Sequence, residues 1–405
     1  SRISWLSFNN AIRILSSMVR LIHTADLHLG IGFAQISSSA DFEEKRFRDF
    51  ISNLEFIKNY ALNNKADFFV IAGDVFHNPR PSIQAFNEFS RIVGELIKNK
   101  VHVLVVIGNH DSTKTREALS YLKSYDNLGV DYFHLFDTAR AEVIEAKSTG
   151  EKIKFIGLPY PHFQSNYSYS DFVNFFEQKL SEITKDNEGD FSVIIGHLYV
   201  EGGKLGSEQR IASLRDYPIP PRIFEPYDLT CLGHLHTPQR LGSKLFYSGS
   251  IERVDFGEEG EEKSFLDIKL GSKLEVNKVS LKLRPMKTYS INATSMSHSD
   301  LINEIKSLVL EEGAIVRIRI RISSNTSYPP VNQIERILKE RYSVAGFKID
   351  VEREEYQETR LPSTNLDFYS FLNEYLKARY KDRPNDFLVK VFSEAKKIID
   401  EAQSQ

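Results

Sequence analysis

Residues 19–28, VRLIHTADLH, are a short apolar run that ends in a carboxylate and an imidazole. Comparable apolar runs that also end in polar residues follow at 67–72, 101–107, 152–158 and 192–195. Short runs of this kind are typical of buried strands in an α/β sheet. Apolar residues recur at helical spacing between the first of these runs, over 47–61 and 83–97. The alternation predicts a layered α/β domain.

The composition excludes several classes of protein. A chain of 405 residues with 41% apolar residues has enough apolar matter for two to four folded domains. A single cysteine, Cys231, excludes an internal disulfide and any Cys-rich zinc or iron–sulfur site. The net charge of -3 gives no bulk attraction to nucleic acid. No apolar run approaches the ~18 residues of a membrane span, so we expect a cytoplasmic protein with no membrane association.

The chain divides into five predicted segments. Residues 1–17 have two Arg, five Ser and no acid, the composition of a transit peptide, but a cloning or start-site extension is favoured because Met18 directly precedes the first strand. From 228 to 283 the pattern turns to strands alone, which we expect to form a second sheet. The predicted segments are an extension over 1–17, a main domain over 18–284, a small α/β unit over 285–356, a linker over 357–364 and a helical tail over 365–405.

Five polar clusters follow predicted strands, in the order Asp26-Leu27-His28, Gly73-Asp74, Gly108-Asn109-His110-Asp111, Gly196-His197 and Gly233-His234-Leu235-His236. Each cluster alone occurs by chance in many chains. In α/β sheets, however, residues beyond the carboxyl ends of the strands converge on one crevice. Carboxylate, imidazole and amide oxygen ligands suit Mn²⁺, Fe²⁺ or Zn²⁺, and the lack of thiolates favours a harder ion. We predict a manganese site there.

This motif order resembles the calcineurin-like metallophosphoesterases. The resemblance implies a sandwich of two sheets flanked by helices, followed by a small α/β capping domain and a C-terminal helical tail. Three longer stretches, HTADLHLG at 23–30, GDVFHNPRPS at 73–82 and GSIERVDFGE at 249–258, resemble the DNA double-strand-break repair nucleases of the SbcD or meiotic-recombination-eleven type.

The resemblance implies two Mn²⁺ per subunit, with Mg²⁺, Fe²⁺ or Zn²⁺ less favoured. It assigns one ion to Asp26, His28 and His236, the other to Asn109, His197 and His234, and the bridge between them to Asp74. His110 would protonate the leaving oxygen or stabilise the transition state. Asp111 would either orient His110 or cap a helix over Thr115–Leu122. His77 is either a loop histidine or, as the resemblance implies, a residue that handles the nucleotide.

Contacts with DNA need a local basic surface, because residues 285–356 hold ten basic and ten acidic residues. Strict alternation over 316–322 puts Arg317, Arg319 and Arg321 on one face of a strand. That face either contacts phosphates or is a solvated face paired with Glu. The loop that carries Lys204 and Arg210 is a better-placed candidate, since it follows His197, and Arg80 is a further candidate within the second resembling stretch.

The tail carries apolar stripes that include Phe371, Phe387, Val391, Phe392 and Ile398. These stripes either dock on the body or bind a partner helix, and the resemblance favours the coiled coil of an SbcC-type ATPase. We also expect a homodimer. The predicted function is duplex-end exonuclease and single-strand endonuclease activity in double-strand-break repair, nucleoid-associated in a prokaryote. The alternatives are a metallophosphoesterase of small phosphate esters or nucleotides and a non-catalytic DNA-end tether.

Overall fold

The computed structural model describes residues 18–33, 36–38, 41–113, 120–162, 166–185, 189–206, 216–354, 372–373, 376–377, 380 and 385–403. The chain divides into two compact units, one made of segments 1–289, 309–318 and 335–348 and the other of segments 290–308, 319–334 and 349–405. The predicted extension over 1–17, the linker over 357–364 and most of the helix expected over Thr115–Leu122 lie outside the described residues.

The first sheet has six strands, which are β1 (Val19–Thr24), β3 (Phe68–Ile71), β4 (His102–Val106), β5 (Phe133–Phe136), β12 (Ser264–Leu270) and β13 (Leu274–Ser280). Their order is β13-β12-β1-β3-β4-β5. Strands β1, β3, β4 and β5 pair in parallel, whereas β12 is antiparallel to β1 and β13 to β12. The central strands are buried almost throughout, which explains their continuous apolar runs.

The second sheet also has six strands, which are β6 (Arg140–Glu145), β7 (Lys152–Leu158), β8 (Phe191–His197), β9 (Leu229–Gly233), β10 (Gln239–Arg240) and β11 (Leu245–Tyr247). Their order is β10-β11-β9-β8-β7-β6. The neighbours β7, β8, β9 and β11 pair in parallel, and β6 and β10 are antiparallel edge strands.

The expectation that residues 228–283 form a second sheet by themselves is wrong. Strands β12 and β13 join the first sheet, and the second sheet is completed by β6, β7 and β8 from earlier in the chain. The physical reason is that β1 is buried on both faces and has hydrogen-bonding groups along both edges. Strand β12 satisfies one edge from Val19↔Leu270 to His23↔Leu266. Alternation in the sequence identifies such a strand but not its partner.

Helices cover the outer faces of the two sheets and are α1 (Phe42–Asn63), α2 (Ile83–Lys98), α3 (Lys123–Asn127) and α4 (Tyr169–Ile183). Helices α1 and α2 share a core with the first sheet that includes Leu54 and Phe69. Helix α4 packs on the second sheet through Phe172 and Ile194. The inner faces of the sheets form a third core around Phe155. The predicted sandwich of two sheets flanked by helices is therefore confirmed.

Residues 286–353 alternate between strands and helices, as the prediction of a small α/β unit requires. The elements are β14 (Met286–Asn292), α5 (His298–Ser307), β15 (Ile315–Ile322), α6 (Val331–Glu340) and β16 (Gly346–Arg353). Together with β2 (Ser37–Ser38), the strands form a sheet of order β14-β15-β16-β2. Strand β15 buries alternate residues, as predicted. A domain boundary at 284–285 stays a prediction.

The last helix, α7 (Asn385–Gln403), begins directly after Pro384, within the segment predicted to be a helical tail. It has 19 residues. Phe387 is exposed, and Val391 and Phe392 are half-buried. Phe371 and the side chain of Ile398 lie outside the described residues. Within the described part of the chain, no helix combines the length and the apolar content needed to cross a membrane.

Candidate metal centre

Four of the predicted metal ligands have a strained backbone. Asp26, His28, Asp74 and His234 have φ angles of 50°, 42°, 52° and 95°. Non-glycine residues seldom adopt such angles, and each one costs about 1–3 kcal/mol. Backbone hydrogen bonds hold the loops in place, since the N–H of His28 donates to the Asp74 carbonyl at 3.0 Å. Strain at the ends of β1, β3 and β9 indicates loops that are shaped to present these side chains.

The first cluster consists of Asp26, His28 and His236, all of them buried. Their possible ligand atoms lie within 4.8 Å of one another. The Nε2 atoms of His28 and His236 are 3.0 Å apart. That separation suits two imidazoles on one ion, because metal–nitrogen distances are about 2.0–2.1 Å for zinc. The three side chains that the resemblance assigns to one ion therefore meet.

The second cluster is centred on the side-chain oxygen of Asn109. Its Oδ1 lies 3.0 Å from His197 Nε2 and 3.1 Å from His234 Nδ1. His197 Nδ1 donates to the Ala72 carbonyl at 2.8 Å, so Nε2 is the nitrogen that faces the cluster. The three side chains assigned to the other ion also meet.

Asp74 lies between the two clusters. Its Oδ2 is 3.3 Å from His197 Nε2 and 3.8 Å from His28 Nε2. A carboxylate in this place can offset the repulsion between two neighbouring cations. The position matches the bridging role that the resemblance implies for Asp74.

The electrostatics of the clusters favour a bound cation. Burial raises the pKa of Asp26. Burial acts in the same direction on Asp74, but the imidazoles of His197 and His110 outweigh it and hold the Asp74 pKa well below its usual range. Burial opposes a charge on His197, yet the carboxylates of Asp74 and Asp26 raise its pKa to about 9. The field that favours a proton on His197 favours a metal ion on the same nitrogen, and metal binding would release that proton.

Two glycines permit the close approach of these side chains. Gly73 has a φ of +90°, and a Cβ there would lie 2.1 Å from His197 Nδ1. A Cβ on Gly108 would lie 2.1 Å from Asp74 Oδ1 and 2.4 Å from the Asp74 amide nitrogen. The ligands' own atoms therefore occupy the space that a side chain would need.

The donor set fits a divalent metal without thiolate ligands. Cys231 is buried in the core between the sheets, where desolvation raises its thiol pKa. Carboxylate, amide and imidazole donors remain, and these ligands suit Mn²⁺, Fe²⁺ and Zn²⁺. The residues present therefore fit the predicted pair of metal ions, without identifying the metal.

His77 and His110 lie beside the clusters as a pair of stacked rings. Their centroids are 5.0 Å apart with an interplanar angle of 25°. His110 Nδ1 is 2.8 Å from the His77 carbonyl oxygen. His77 faces Nδ1 of His28 at 3.4 Å, on the side of that ring opposite the nitrogen that faces His236. Desolvation, together with His110, lowers the pKa of His77 to about 4, so its imidazole is neutral near pH 7.

The side chain of Asp111 binds backbone N–H groups of two loops. Its oxygens accept hydrogen bonds from the N–H groups of Gly108 at 2.9 Å and Phe76 at 3.0 Å. The carboxyl is buried, which raises its pKa to about 7. The prediction that Asp111 orients the His110 ring needs correction, because the ring is held by the His77 carbonyl. Asp111 instead ties together the two loops that carry these histidines.

Two carboxylates that the sequence analysis missed lie behind the ligands. Asp216 Oδ2 is 2.9 Å from His234 Nε2, and Glu258 Oε1 is 2.8 Å from His236 Nδ1. Burial alone would raise the pKa of Glu258, but the hydrogen bond to His236 and the charge of Lys263 lower it to about 2. Glu258 ends the resembling stretch at 249–258, and no motif marks Asp216.

Three of the basic residues predicted to contact DNA lie outside strand β15, and they are Arg80, Lys204 and Arg210. Arg80 and Lys204 are exposed, whereas Arg210 lies outside the described residues. The structure leaves the DNA-binding role of these side chains as a prediction.

The three arginines of β15 do not share one environment. The Arg317 guanidinium lies 5.9 Å from the centroid of the Phe256 ring. Arg319 Nη2 is 2.9 Å from Glu352 Oε1, which is the pairing expected of a solvated sheet face. Arg321 is exposed. For Arg319, the structure therefore favours the alternative to a phosphate contact.

Comparisons with known proteins bear on this site. The family profile described as calcineurin-like phosphoesterase matches residues 19–238, more than half of the chain. A dimetal phosphatase from Danio rerio is 13% identical, with 64% of this chain and 95% of that chain covered and a TM-score of 0.39. A glutamine-dependent NAD⁺ synthetase from Acinetobacter baumannii is 10% identical, with 96% and 72% covered and a TM-score of 0.26. Both TM-scores are too low to support a functional assignment. The family of this chain is therefore assigned from the profile match alone.

Proposed function

Because this chain belongs to the calcineurin-like phosphoesterase family, we propose that it is a DNA nuclease with two metal ions. The family membership itself indicates a phosphoester hydrolase with a dinuclear metal site. DNA as the substrate and Mn²⁺ as the metal are more specific than the family membership, and both are part of the proposal.

Each side chain of the centre has a proposed role. Asp26, His28 and His236 would hold one cation, Asn109, His197 and His234 would hold the other, and Asp74 would serve as the shared ligand. Two divalent cations bound there would polarise a phosphodiester and lower the pKa of the attacking water. Six of these seven side chains are buried, and Asn109 is half-buried.

His110 is the proposed general acid. A carbonyl only accepts hydrogen bonds, so the contact at 2.8 Å between His110 Nδ1 and the His77 carbonyl places a hydrogen on Nδ1. Nε2 is then the nitrogen that can exchange a proton with the leaving oxygen of a substrate. A positioned acid or base of this kind contributes about 10²–10⁴-fold to the rate.

The position of His77 is the main observation in favour of a nuclease rather than another phosphoester hydrolase. Its neutral ring stacks on His110 at the edge of the metal centre. A neutral aromatic surface suits the sugar or base of a nucleotide better than the charged phosphate. The stretch that contains His77, GDVFHNPRPS, is one of the three that resemble the repair nucleases.

A metallophosphoesterase of small phosphate esters or nucleotides is the main alternative. It would use the same centre, and the family membership alone does not separate the two functions. A non-catalytic tether is disfavoured, because all seven predicted ligand side chains meet in the two clusters and at Asp74 between them.

An SbcC-type coiled-coil ATPase is the proposed partner, and a homodimer is the proposed assembly. Support comes from the tail, where Phe387 and Val389 of α7 are exposed apolar residues on a 19-residue helix. An amphipathic helix of this length can lie in a groove between partner helices.

The proposed function is tested by measuring the hydrolysis of two substrates by the same protein samples. An end-labelled DNA duplex and a chromogenic phosphodiester are incubated with Mn²⁺ and wild-type protein or the His110→Ala variant. Metal-dependent cleavage of the duplex by wild type alone supports a nuclease. Hydrolysis of the small diester with no cleavage of DNA would favour the alternative.

A further inference from the structure

Two imidazoles of the metal centre have their outward nitrogen held by a carboxylate. Asp216 accepts from His234 Nε2 at 2.9 Å, and Glu258 accepts from His236 Nδ1 at 2.8 Å. A carboxylate only accepts, so the hydrogen of each neutral imidazole lies on the side of that carboxylate. The opposite nitrogens, His234 Nδ1 and His236 Nε2, keep their lone pairs.

Those lone pairs point to different clusters. His234 Nδ1 is 3.1 Å from Asn109 Oδ1, and His236 Nε2 is 3.0 Å from His28 Nε2. The two histidines therefore present different ring nitrogens, although they are only two residues apart. A histidine without a fixed partner could present either nitrogen, so the carboxylates decide which one is available.

We propose that Asp216 and Glu258 are positioning residues, one for each metal ion. Asp216 would fix the ring of His234 for the ion at Asn109 and His197, and Glu258 would fix the ring of His236 for the ion at Asp26 and His28. Carboxylates behind metal-binding histidines set the tautomer and the orientation of the ring, and their loss costs about 10–100-fold in metal affinity. The inference rests on the proposed function, since it requires the dinuclear centre.

Glu258 is held rigidly. Its Oε2 is 2.8 Å from Lys263 Nζ and accepts from the Val254 N–H at 3.1 Å. Lys263 is fully buried, and its ammonium also donates to the His236 carbonyl at 3.0 Å. The lysine therefore joins the positioning carboxylate to the backbone of the histidine that it orients.

Asp216 is held by a neutral donor. Its Oδ1 accepts from the hydroxyl of Tyr160 at 2.5 Å, and the Tyr160 ring lies 5.5 Å from the His234 ring. Asp216 is only 8% exposed, so little water competes for its hydrogen bonds. Tyr160 thus allows a test of Asp216 that changes neither the carboxylate nor a ligand.

The test is Mn²⁺ titration of the metal-free full chain by calorimetry, with Asp216→Asn, Glu258→Gln and the double variant. Glu262→Gln is the matched control, because Glu262 lies in the same segment as Glu258, its side chain is 77% exposed, and it pairs with Lys278 on the surface. We expect each single variant to weaken one of two binding steps by about 10–100-fold and leave the other within about twofold. The double variant should weaken both, and the control neither.

Electron paramagnetic resonance of bound Mn²⁺ gives a readout that a merely structural role would not move. With stoichiometric Mn²⁺, wild type should show a coupled pair, and each single variant should show an isolated ion. Far-UV circular dichroism of the metal-free variants checks their fold. If Asp216→Asn does not fold, Tyr160→Phe should weaken the same step as predicted for Asp216.

The outcomes separate this inference from the proposed function. Wild-type protein that binds fewer than two Mn²⁺ contradicts the dinuclear centre itself. Wild-type protein that binds two Mn²⁺, with Asp216→Asn and Glu258→Gln binding both as tightly, overturns the positioning roles alone. Equal weakening of both steps by every variant would also overturn them, since that pattern indicates a general loss of structure.

Discussion

Replacing Gly108 by alanine should damage the metal centre through a single methyl group. The added Cβ would lie 2.1 Å from Asp74 Oδ1 and 2.4 Å from the Asp74 amide nitrogen. The amide belongs to the backbone, and Gly108 is itself fixed by a hydrogen bond of 2.9 Å from its N–H to Asp111. Neither partner can move without disturbing its loop, so the Asp74 carboxylate would be displaced. Overpacking of this kind costs about 1–3 kcal/mol in folding free energy.

Gly94→Ala is the matched control for this experiment. Gly94 lies inside α2, and a Cβ there meets no atom within 4 Å. Alanine is more favourable than glycine in a helix interior by about 0.5–1 kcal/mol. The control should therefore raise the free energy of unfolding and leave the metal content unchanged.

The measurements are denaturant unfolding of the metal-free protein, Mn²⁺ content after dialysis, and hydrolysis of a chromogenic diester. We expect Gly108→Ala to lower the free energy of unfolding, to hold fewer than two Mn²⁺ and to hydrolyse the diester poorly. A Gly108→Ala protein with two bound Mn²⁺ and wild-type hydrolysis would refute the argument that Asp74 and Gly108 share this space.

Four further outcomes can be checked. The His110→Gln variant should keep two Mn²⁺ and bind DNA, while the chemical step slows by about 10²–10⁴-fold in single-turnover assays. Loss of bound metal in this variant would instead indicate that His110 is a metal ligand. His77→Ala should impair duplex exonuclease more than diester hydrolysis, and equal losses would contradict a nucleotide role. Arg46→Ala should lower the free energy of unfolding by about 3–5 kcal/mol in denaturant titration, because buried Glu252, 3.4 Å away, loses its cation; a change below about 1 kcal/mol would contradict this. Truncation after Thr364 should preserve Mn²⁺-dependent cleavage but abolish pulldown of the ATPase, and retained pulldown would place that contact elsewhere.

The sequence predicts the strands of the central layers because they are buried on both faces. Strands β1, β3 and β4 are buried almost throughout and are therefore mainly apolar, and such runs are visible without any knowledge of their neighbours. Edge strand β6 was missed because only Ile144 among its six residues is buried. An edge strand that needs a single apolar residue leaves no periodic pattern to detect.

The ligand side chains are predictable for a related reason. Each one lies at the carboxyl end of a strand or within four residues beyond it, so its position in the crevice follows from the local sequence. The paired motifs Asp26-Leu27-His28 and His234-Leu235-His236 place two donors on one loop, and their middle leucines are buried. Local sequence thus identifies the donors, although it does not determine which nitrogen each imidazole presents.

That last choice depends on contacts between loops. Asp216 and His234 are 18 residues apart, and Glu258 and His236 are 22 residues apart. A carboxylate can reach the ring nitrogen that faces away from the metal site from any loop of suitable length. No fixed spacing from the histidine therefore identifies that carboxylate in the sequence. The same holds for the His77 carbonyl, which orients His110 through the backbone and would do so with another side chain at 77. The orientation of donors, on which metal affinity and proton transfer depend, therefore arises from tertiary packing, whereas the identity of the donors is local.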